Sequence, residues 1–334
     1  MHRLMGNGPG RHLTRGFLVT ALVTAGLAAT GSSATAASVT IDLCAVPGTL
    51  ALPGDPTAVD VPFWGFALPD NTTGSCVGVP ARVPGPQLEA ATDDTLTLVV
   101  HNLLPGGHTP VPEVPGLEPT AESTGTDGDG NPTVQVSYAA AHSGTYLYES
   151  SGDAGRQTAM GLYGALVVRP AAGQAYGPET AFDREAVLVL SEIDPAFNAD
   201  PDAADLNDYL PTYWMINGKS YPQTDPIQAS PGQTLLVRYL NAGFDNTSMA
   251  LLGLHEHVVA RDAHLLPQAF DAAAETIPAG GTEDTLIQMP DITPPVTAGF
   301  ALFNRQLHLT NGPTTGSPSA PTPAPGGMLT FIHP

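Results

Sequence analysis

The stretch "GTYLYESSGDAGRQTAMGLYGALVVRP", residues 144–170, decides the architecture. Two runs, "TYLYES" (145–150) and "GALVVRP" (164–170), flank a segment punctuated by glycine. Runs rich in β-branched and aromatic residues, bounded by turn residues, are strand signals. The same signal repeats outward. "TLTLVVHN" (95–102) and "TVQVSY" (133–138) complete a first group. A second group holds "EAVLVLSEI" (185–193), "YWMING" (213–218), "QTLLVRYLNAG" (233–243), "SMALLGLHEHVVARD" (248–262), "DTLIQMP" (284–290), "GFALFNRQLHL" (299–309) and "GMLTFIH" (327–333). Helical periodicity is nearly absent, and 34 prolines with 36 glycines leave little room for long helices. In "TLTLVV" the alternation sets Leu96 and Leu98 on one face and Thr95 and Thr97 on the other, as in a half-buried sandwich strand. The chain therefore reads as all-β, with one sandwich per group.

The N-terminus reads as an export signal. Arg3, Arg11 and Arg15 precede the apolar "GFLVTALVTAGLAA" and the small residues "SSATAAS". That order of basic, apolar and small segments marks residues 1–37 as a signal peptide, cleaved near Ala36–Ala37. The apolar run is too short and too rich in Gly and Ala for a membrane span, and no other segment suits one. The reading is thus a secreted protein without membrane insertion. Its first domain spans 38–175 and its second 176–334, divided by the Pro/Gly/Ala-rich "PAAGQAYGPETAFD" (170–183). Residues 312–327, "GPTTGSPSAPTPAPGG", read as a flexible exposed loop inserted before the last strand.

Charge excludes two partner classes. Cleavage removes three arginines and no acid, so the formal charge of −21 becomes −24. Lys219 is the one lysine. Such a surface repels nucleic acid and anionic lipid. In an oxidising compartment the two cysteines, Cys44 and Cys76, read as a disulfide; the alternative, a copper thiolate, lacks histidines at ligand spacing. "TGTDGDGNPT" (124–133) imitates a calcium loop, but Tyr138 stands where the bidentate Glu belongs, and a hairpin turn explains the same residues. No serine has the strand–elbow–helix setting of a nucleophile. Trp64 and Trp214 form no evident platform for carbohydrate.

Three stretches together resemble the multicopper oxidases, the laccase-like enzymes built from cupredoxin (plastocyanin-like) β-sandwiches. "VPGPQLEAATDDTLTLVVHNLLP" (83–105) is similar to that family's first-domain opening. Residues 144–170 resemble its close, with Gln157, Gly161, Leu162 and Gly164 on the Q-x-x-x-G-L-x-G pattern. "MINGKSYPQTDPIQASPGQTLLVRYLNAG" (215–243) is similar to a second cupredoxin domain. The resemblance spans nearly all of residues 80–334 and implies two cupredoxin-like Greek-key sandwiches.

It also implies copper: a type 1 ion on one Cys and two His, and a three-copper cluster on His-x-His pairs. Here the first two pairs fall at Glu113/Pro115 and Glu149/Ser151. The C-terminal His-Cys-His falls at Asn304, Arg305 and Gln306, with Arg305 at the cysteine position, and Met328 matches the axial methionine. No cysteine follows position 76. Two weak metal sets remain. His255 and His257, two apart on a predicted strand, share a face; they chelate a metal or simply face solvent beside Glu256. Glu113 and Glu149, facing in the old cluster cavity, share a proton, bind a cation, or hydrogen-bond Tyr146, Tyr148 or backbone.

The expectation is a secreted multicopper-oxidase-like protein that has lost its copper ligands and acts in binding or assembly, with no catalytic residue assigned. The alternative is a copper-dependent oxidoreductase drawing ligands from a non-family set or a partner subunit. A homo-oligomer is compatible with two-domain members of the family. Identical subunits, however, cannot supply a cysteine that each of them lacks. The sequence names no binding partner.

Overall fold

The computed structural model describes residues 36–53, 58–291, 299–312 and 326–334. The signal segment up to residue 35 and most of the 312–327 loop lie outside these residues.

The first half supplies β1 (Ser38–Leu52), β2 (Val59–Ala67), β3 (Leu88–Ala91), β4 (Thr95–Asn102), β5 (Pro112–Glu113), β6 (Pro119–Thr126), β7 (Pro132–Ala139), β8 (Gly144–Ser150) and β9 (Tyr163–Arg169). They form one sheet in the order β2-β1-β4-β7-β6 and another in the order β3-β9-β8-β5. The second half supplies β10 (Arg184–Ile193), β11 (Tyr213–Ile216), β12 (Ile227–Gln228), β13 (Thr234–Asn241), β14 (Thr247–Leu251), β15 (Glu256–Arg261), β16 (His264–Ala272), β17 (Ala274–Ile277), β18 (Thr282–Gln288), β19 (Phe300–Asn304) and β20 (Leu329–His333). Their sheets run β11-β10-β13-β18-β15-β16 and β12-β20-β19-β14-β17.

Each sheet contains one parallel pair: β1 with β4, β3 with β9, β10 with β13, and β12 with β20. The two halves thus repeat one plan. In β4 the alternation is as read: Leu96, Leu98 and Val100 are buried and Thr95 is exposed. They meet Leu43, Phe66, Tyr148 and Leu166 in the first core. Leu190, Leu235, Val237, Leu302, Met328 and Ile332 build the second.

β8 and β9 are buried on both faces, which is why they read as near-continuous apolar runs. Their outer face packs on the second half, where Leu147, Tyr163 and Ala165 meet Val189, Leu240 and Ala242. A polar cluster sits beside this seam. The fully buried Arg238 donates to Glu185 (2.7 Å), Thr145 Oγ1 (2.8 Å) and Asp284 (3.2 Å). Thr145 and Tyr176 both donate to Asp284, at 2.6 and 2.5 Å. A buried guanidinium is tolerated because carboxylates answer it.

The Asn-Gly of "YWMING" turns the chain after β11. Asn217 and Gly218 have φ of 52° and 72°, the left-handed region that Gly and Asn adopt most easily. Any side chain at Gly218 would collide with the Val83 carbonyl of the first half. Cys44 on β1 and Cys76 form a disulfide with Cα atoms 5.5 Å apart. Strands β1 and β2 are absent from the sequence-level runs, although β1 is the longest strand here. "SMALLGLHEHVVARD" also departs from one strand: a turn at Leu252–Gly253 splits it into β14 and β15.

Candidate functional site

Of the residues that the resemblance sets at the first two ligand pairs, Glu113 lies on β5 and Glu149 on β8, with Pro115 and Ser151 just beyond these strands. Antiparallel pairing sets Glu113 directly opposite Glu149. Glu113 is exposed and Glu149 half-buried. Burial pushes the Glu149 carboxyl up, and the charge on Glu113 adds to the shift, while a hydrogen bond from Thr158 Oγ1 (3.2 Å) opposes it. Neither tyrosine named as a partner reaches these carboxylates. Tyr146 donates to the His142 carbonyl (3.0 Å) and Tyr148 to the Pro86 carbonyl (2.7 Å). Both phenols are held inside the first core, on the face of β8 away from Glu149, because successive side chains alternate across a strand. Pro115 and Ser151 are exposed.

Between Glu149 and Ser151, Ser150 is fully buried. It donates to Gln157 Oε1 (2.6 Å) and accepts the Val111 N–H (3.1 Å), while Gln157 donates to the Thr109 carbonyl (3.3 Å). The glutamine of the Q-x-x-x-G-L-x-G pattern therefore ties the β8 end to the preceding loop. Its glycine, Gly164, lies under the Tyr148 ring, where a Cβ would overlap the phenol.

At the C-terminal stretch the structure shows which side chain faces the core. Asn304, not Arg305, is turned inward; Arg305 is exposed. The buried Asn304 donates from Nδ2 to Met328 Sδ (3.6 Å) and accepts the Gln306 N–H on Oδ1 (2.8 Å). Asn304 ends β19 with its side chain on the core face, and alternation then sends Arg305 outward. His308 lies alongside: its carbonyl accepts the Met328 N–H (3.0 Å), and its ring stacks on Trp214 with centroids 4.1 Å apart. Burial depresses the His308 pKa.

His255 lies in the turn before β15 and His257 on the strand, both exposed. His257 Nδ1 pairs with Asp271 (2.7 Å). Glu256 between them is turned inward against Tyr239 Oη (2.5 Å), and burial pushes its carboxyl up to about 7. Sequence reasoning missed Glu256, Glu192 and Arg238 as buried charges. For Glu192 and Arg238 the signal was a charge inside an apolar run, "VLVLSEI" and "LLVRYL"; Glu256, between two histidines, carried no such signal. The imitation calcium loop is a turn: Asp127 accepts N–H groups from Asp129 and Asn131 at 2.9 and 2.8 Å and pairs with His101 at 2.9 Å. Among the described residues, no group of three or more His, Cys, Asp or Glu is arranged to hold a metal ion.

The donor set fits a redox copper poorly. Both sulfurs of cysteine are in the disulfide, leaving carboxylate, amide and thioether groups where thiolate and imidazole suit copper.

Residues 65–173 match the family profile described as Multicopper oxidase. No curated protein matches the chain by sequence. Among solved structures the chain is similar to the blue copper oxidase from Nitrosomonas europaea, with a TM-score of 0.70 and 20% identity over 89% of this chain and 86% of that one. It is similar to the multicopper oxidase mgLAC, with a TM-score of 0.65 and 19% identity over 89% and 86%. It is also similar to the copper nitrite reductase from Nitrosomonas europaea, with a TM-score of 0.62 and 19% identity over 89% and 93%. At these identities the likeness shows the fold: two cupredoxin-like sandwiches. No helix among the described residues is long and apolar enough to cross a membrane.

Proposed function

We propose that this chain is an exported protein that uses a multicopper-oxidase-type scaffold for binding, without type 1 or trinuclear copper chemistry. The observation that carries the reading is the disulfide. The chain has two cysteines, Cys44 and Cys76, and they are joined to each other. A type 1 ion needs a thiolate, and none is left.

Three further features support it. Asn304 and Met328 satisfy each other where the resemblance implies a copper ligand and its axial methionine. Glu113 and Glu149 stand opposite one another in place of two histidines. Ser150, beside them, is saturated by Gln157 and Val111. Export is supported by the basic–apolar–small order of residues 1–37 and by the disulfide, which persists in oxidising compartments.

The test is copper loading of the mature protein. It is incubated with excess Cu(II) and desalted, and then copper per chain, the visible spectrum and phenol oxidation are measured. The expected result is no intense blue band and no turnover. At most about one weakly held ion per chain is expected, at the His255/His257 pair, since two imidazoles make an incomplete site; changing both to Ala should release it. Several tightly held ions with turnover would overturn the reading in favour of a copper-dependent oxidoreductase with a non-family ligand set.

A further inference from the structure

The loop after β8 and a loop of the second half meet at His108. Asn102 Nδ2 donates to the His108 carbonyl (2.6 Å), which fixes this segment to the end of β4. The imidazole packs on the buried Trp64 with centroids 4.5 Å apart, and its side chain is 11% exposed. Nδ1 lies 3.2 Å from Asp153 Oδ2, and Nε2 lies 3.0 Å from Asp202 Oδ1. Asp153 belongs to the loop after β8, and Asp202 to the connection between β10 and β11. These two are the ion-pair partners of His108 among the described residues. Arg156 shares Asp153 through Nη1 (2.9 Å) and ties the same two loops again, its Nη2 donating to the Ala204 carbonyl at 3.5 Å.

A neutral imidazole has one N–H and one lone pair. It can donate to one of these carboxylates and must then set its lone pair against the other. Only the imidazolium answers both, and the indole face beside it favours the cation as well. The loop that it holds is strained. Asp153 and Ala154 have φ of 60° and 50°, the left-handed region that residues other than glycine adopt at a cost. Such a backbone persists where surrounding contacts impose it, and here Asp153 is held by His108 and Arg156. On its other side the loop walls a cleft of ≈ 320 Å³, lined by Ala154, Leu206, Tyr209 and Phe244 among others. Tyr209 and Phe244 meet edge to face with centroids 5.6 Å apart. A Cβ at Gly155 would touch both Phe244 and Leu206, so the loop lies directly on this aromatic wall.

We propose that His108 is a pH-sensitive clasp: as imidazolium it holds residues 152–156 against residues 200–206 over the aromatic cleft, and loss of its proton frees the two loops. The sign is fixed by the charge. Both contacts need the proton, so the clasp is closed at the acid end of the range in which histidine titrates, about pH 5 to 8, and loosens toward the alkaline end. Arg156 stays charged throughout and holds the loops in part at any pH. His101 is built alike, with Nδ1 on Asp127 and Nε2 on Asp42, both at 2.9 Å, but it joins elements of the first half only. Glu192, which also lines the cleft, titrates in the same range, since burial, helped by the charge of Asp245, pushes it up to about 7. The proposal is independent of whether the chain binds copper elsewhere.

The test is hydrogen–deuterium exchange of the mature protein at about pH 5.5 and about pH 8, either side of the ordinary histidine range, corrected for the intrinsic pH dependence of exchange. It is read on residues 200–206, where the Ala204 N–H donates to the Asp200 carbonyl (3.1 Å). Wild-type protection should fall about threefold or more at the higher pH, the size expected of a partly exposed ion pair. His108→Gln, neutral at both pH values, should show the lower protection at both. Asp202→Asn, at a side chain 64% exposed, removes the second-half contact alone and should also abolish the pH dependence on this segment. Wild-type protection that does not change with pH would overturn the proposal. So would a pH dependence that survives in His108→Gln, where Glu192 is intact. Should His108→Gln fail to fold, a surviving pH dependence in Asp202→Asn overturns it alone.

Discussion

Replacing Glu256 by Gln should stabilise the protein at pH 8 and leave it unchanged near pH 4.5. Glu256 is 1% exposed, and burial is the largest cause of its raised pKa, followed in the same direction by the charge of Glu283; the Tyr239 hydroxyl at 2.5 Å pulls the other way. The folded carboxyl is pushed from 4.5 up to about 7. The sign follows from linkage. A carboxyl with a raised folded pKa holds its proton more tightly in the folded state. Its favourable contribution is complete below pH 4.5 and is lost as pH rises to about 7. Lifting the carboxyl from 4.5 to about 7 corresponds to roughly 3 kcal/mol. Gln keeps an oxygen for Tyr239 and carries no charge at any pH, so the variant should not suffer that loss. Carboxylates held low by partners, such as Glu89 and Glu185, titrate below this window. Burial lowers the His101 pKa, and its hydrogen bonds to Asp42 and Asp127 together carry it above its ordinary value. Glu192 and Glu283, also pushed up to about 7, slope in the same direction as Glu256. The groups that do not touch Glu256 cancel in the difference between wild type and variant; Glu283, whose charge acts on Glu256, does not, and its relief in the variant adds to the gap in the same direction. Thermal melts of both proteins between pH 4.5 and 8 provide the assay. A gap that opens with pH to several degrees is expected, at roughly 2–4 °C per kcal/mol for a domain of ordinary size. Curves that stay parallel across that range would refute the reasoning.

The disulfide closes a loop over a sequence separation of 32 residues, worth ~3 kcal/mol in the loop-entropy model; reduction should lower the thermal midpoint by several degrees, and thiol labelling of unreduced, denatured protein should find neither cysteine. Gly218→Ala combines a positive φ with a collision against the Val83 carbonyl, so denaturant unfolding should show a loss of more than ~2 kcal/mol. The Ala37 N–H lies 2.9 Å from Asp94 Oδ1. Cleavage after Ala36 would place a charged amino group there, so N-terminal sequencing of exported protein should begin at Ala37; a start at Ser38 would contradict this.

Local pattern carried much of the fold. The strands over 95–102, 133–138, 145–150, 164–170, 185–193 and 233–243 were legible because apolar spacing records which face of a strand is dry, wherever its partner lies. Composition also limited the chemistry: a chain with two cysteines near its start has no thiolate to place near its end. Pairing was not legible. β1 lies parallel to β4 across a long separation, and nothing in residues 38–52 announces a partner. The exposed strands β6 and β16 have no apolar alternation to read. Nor could spacing decide which residue at a strand end turns inward. A one-residue difference separates Arg305 in solvent from Asn304 against Met328, because the period of a strand is two and a shift of one exchanges its faces. The buried charges depended most on tertiary structure. Glu192 and Arg238 sit in apolar runs and Glu256 between two histidines, and none of these settings hints at their partners. Glu256 found answering groups, Arg238 found two carboxylates but keeps its Nη2 without a partner, and Glu192 keeps an oxygen with none. That outcome rests on contacts through space, which only the folded chain creates.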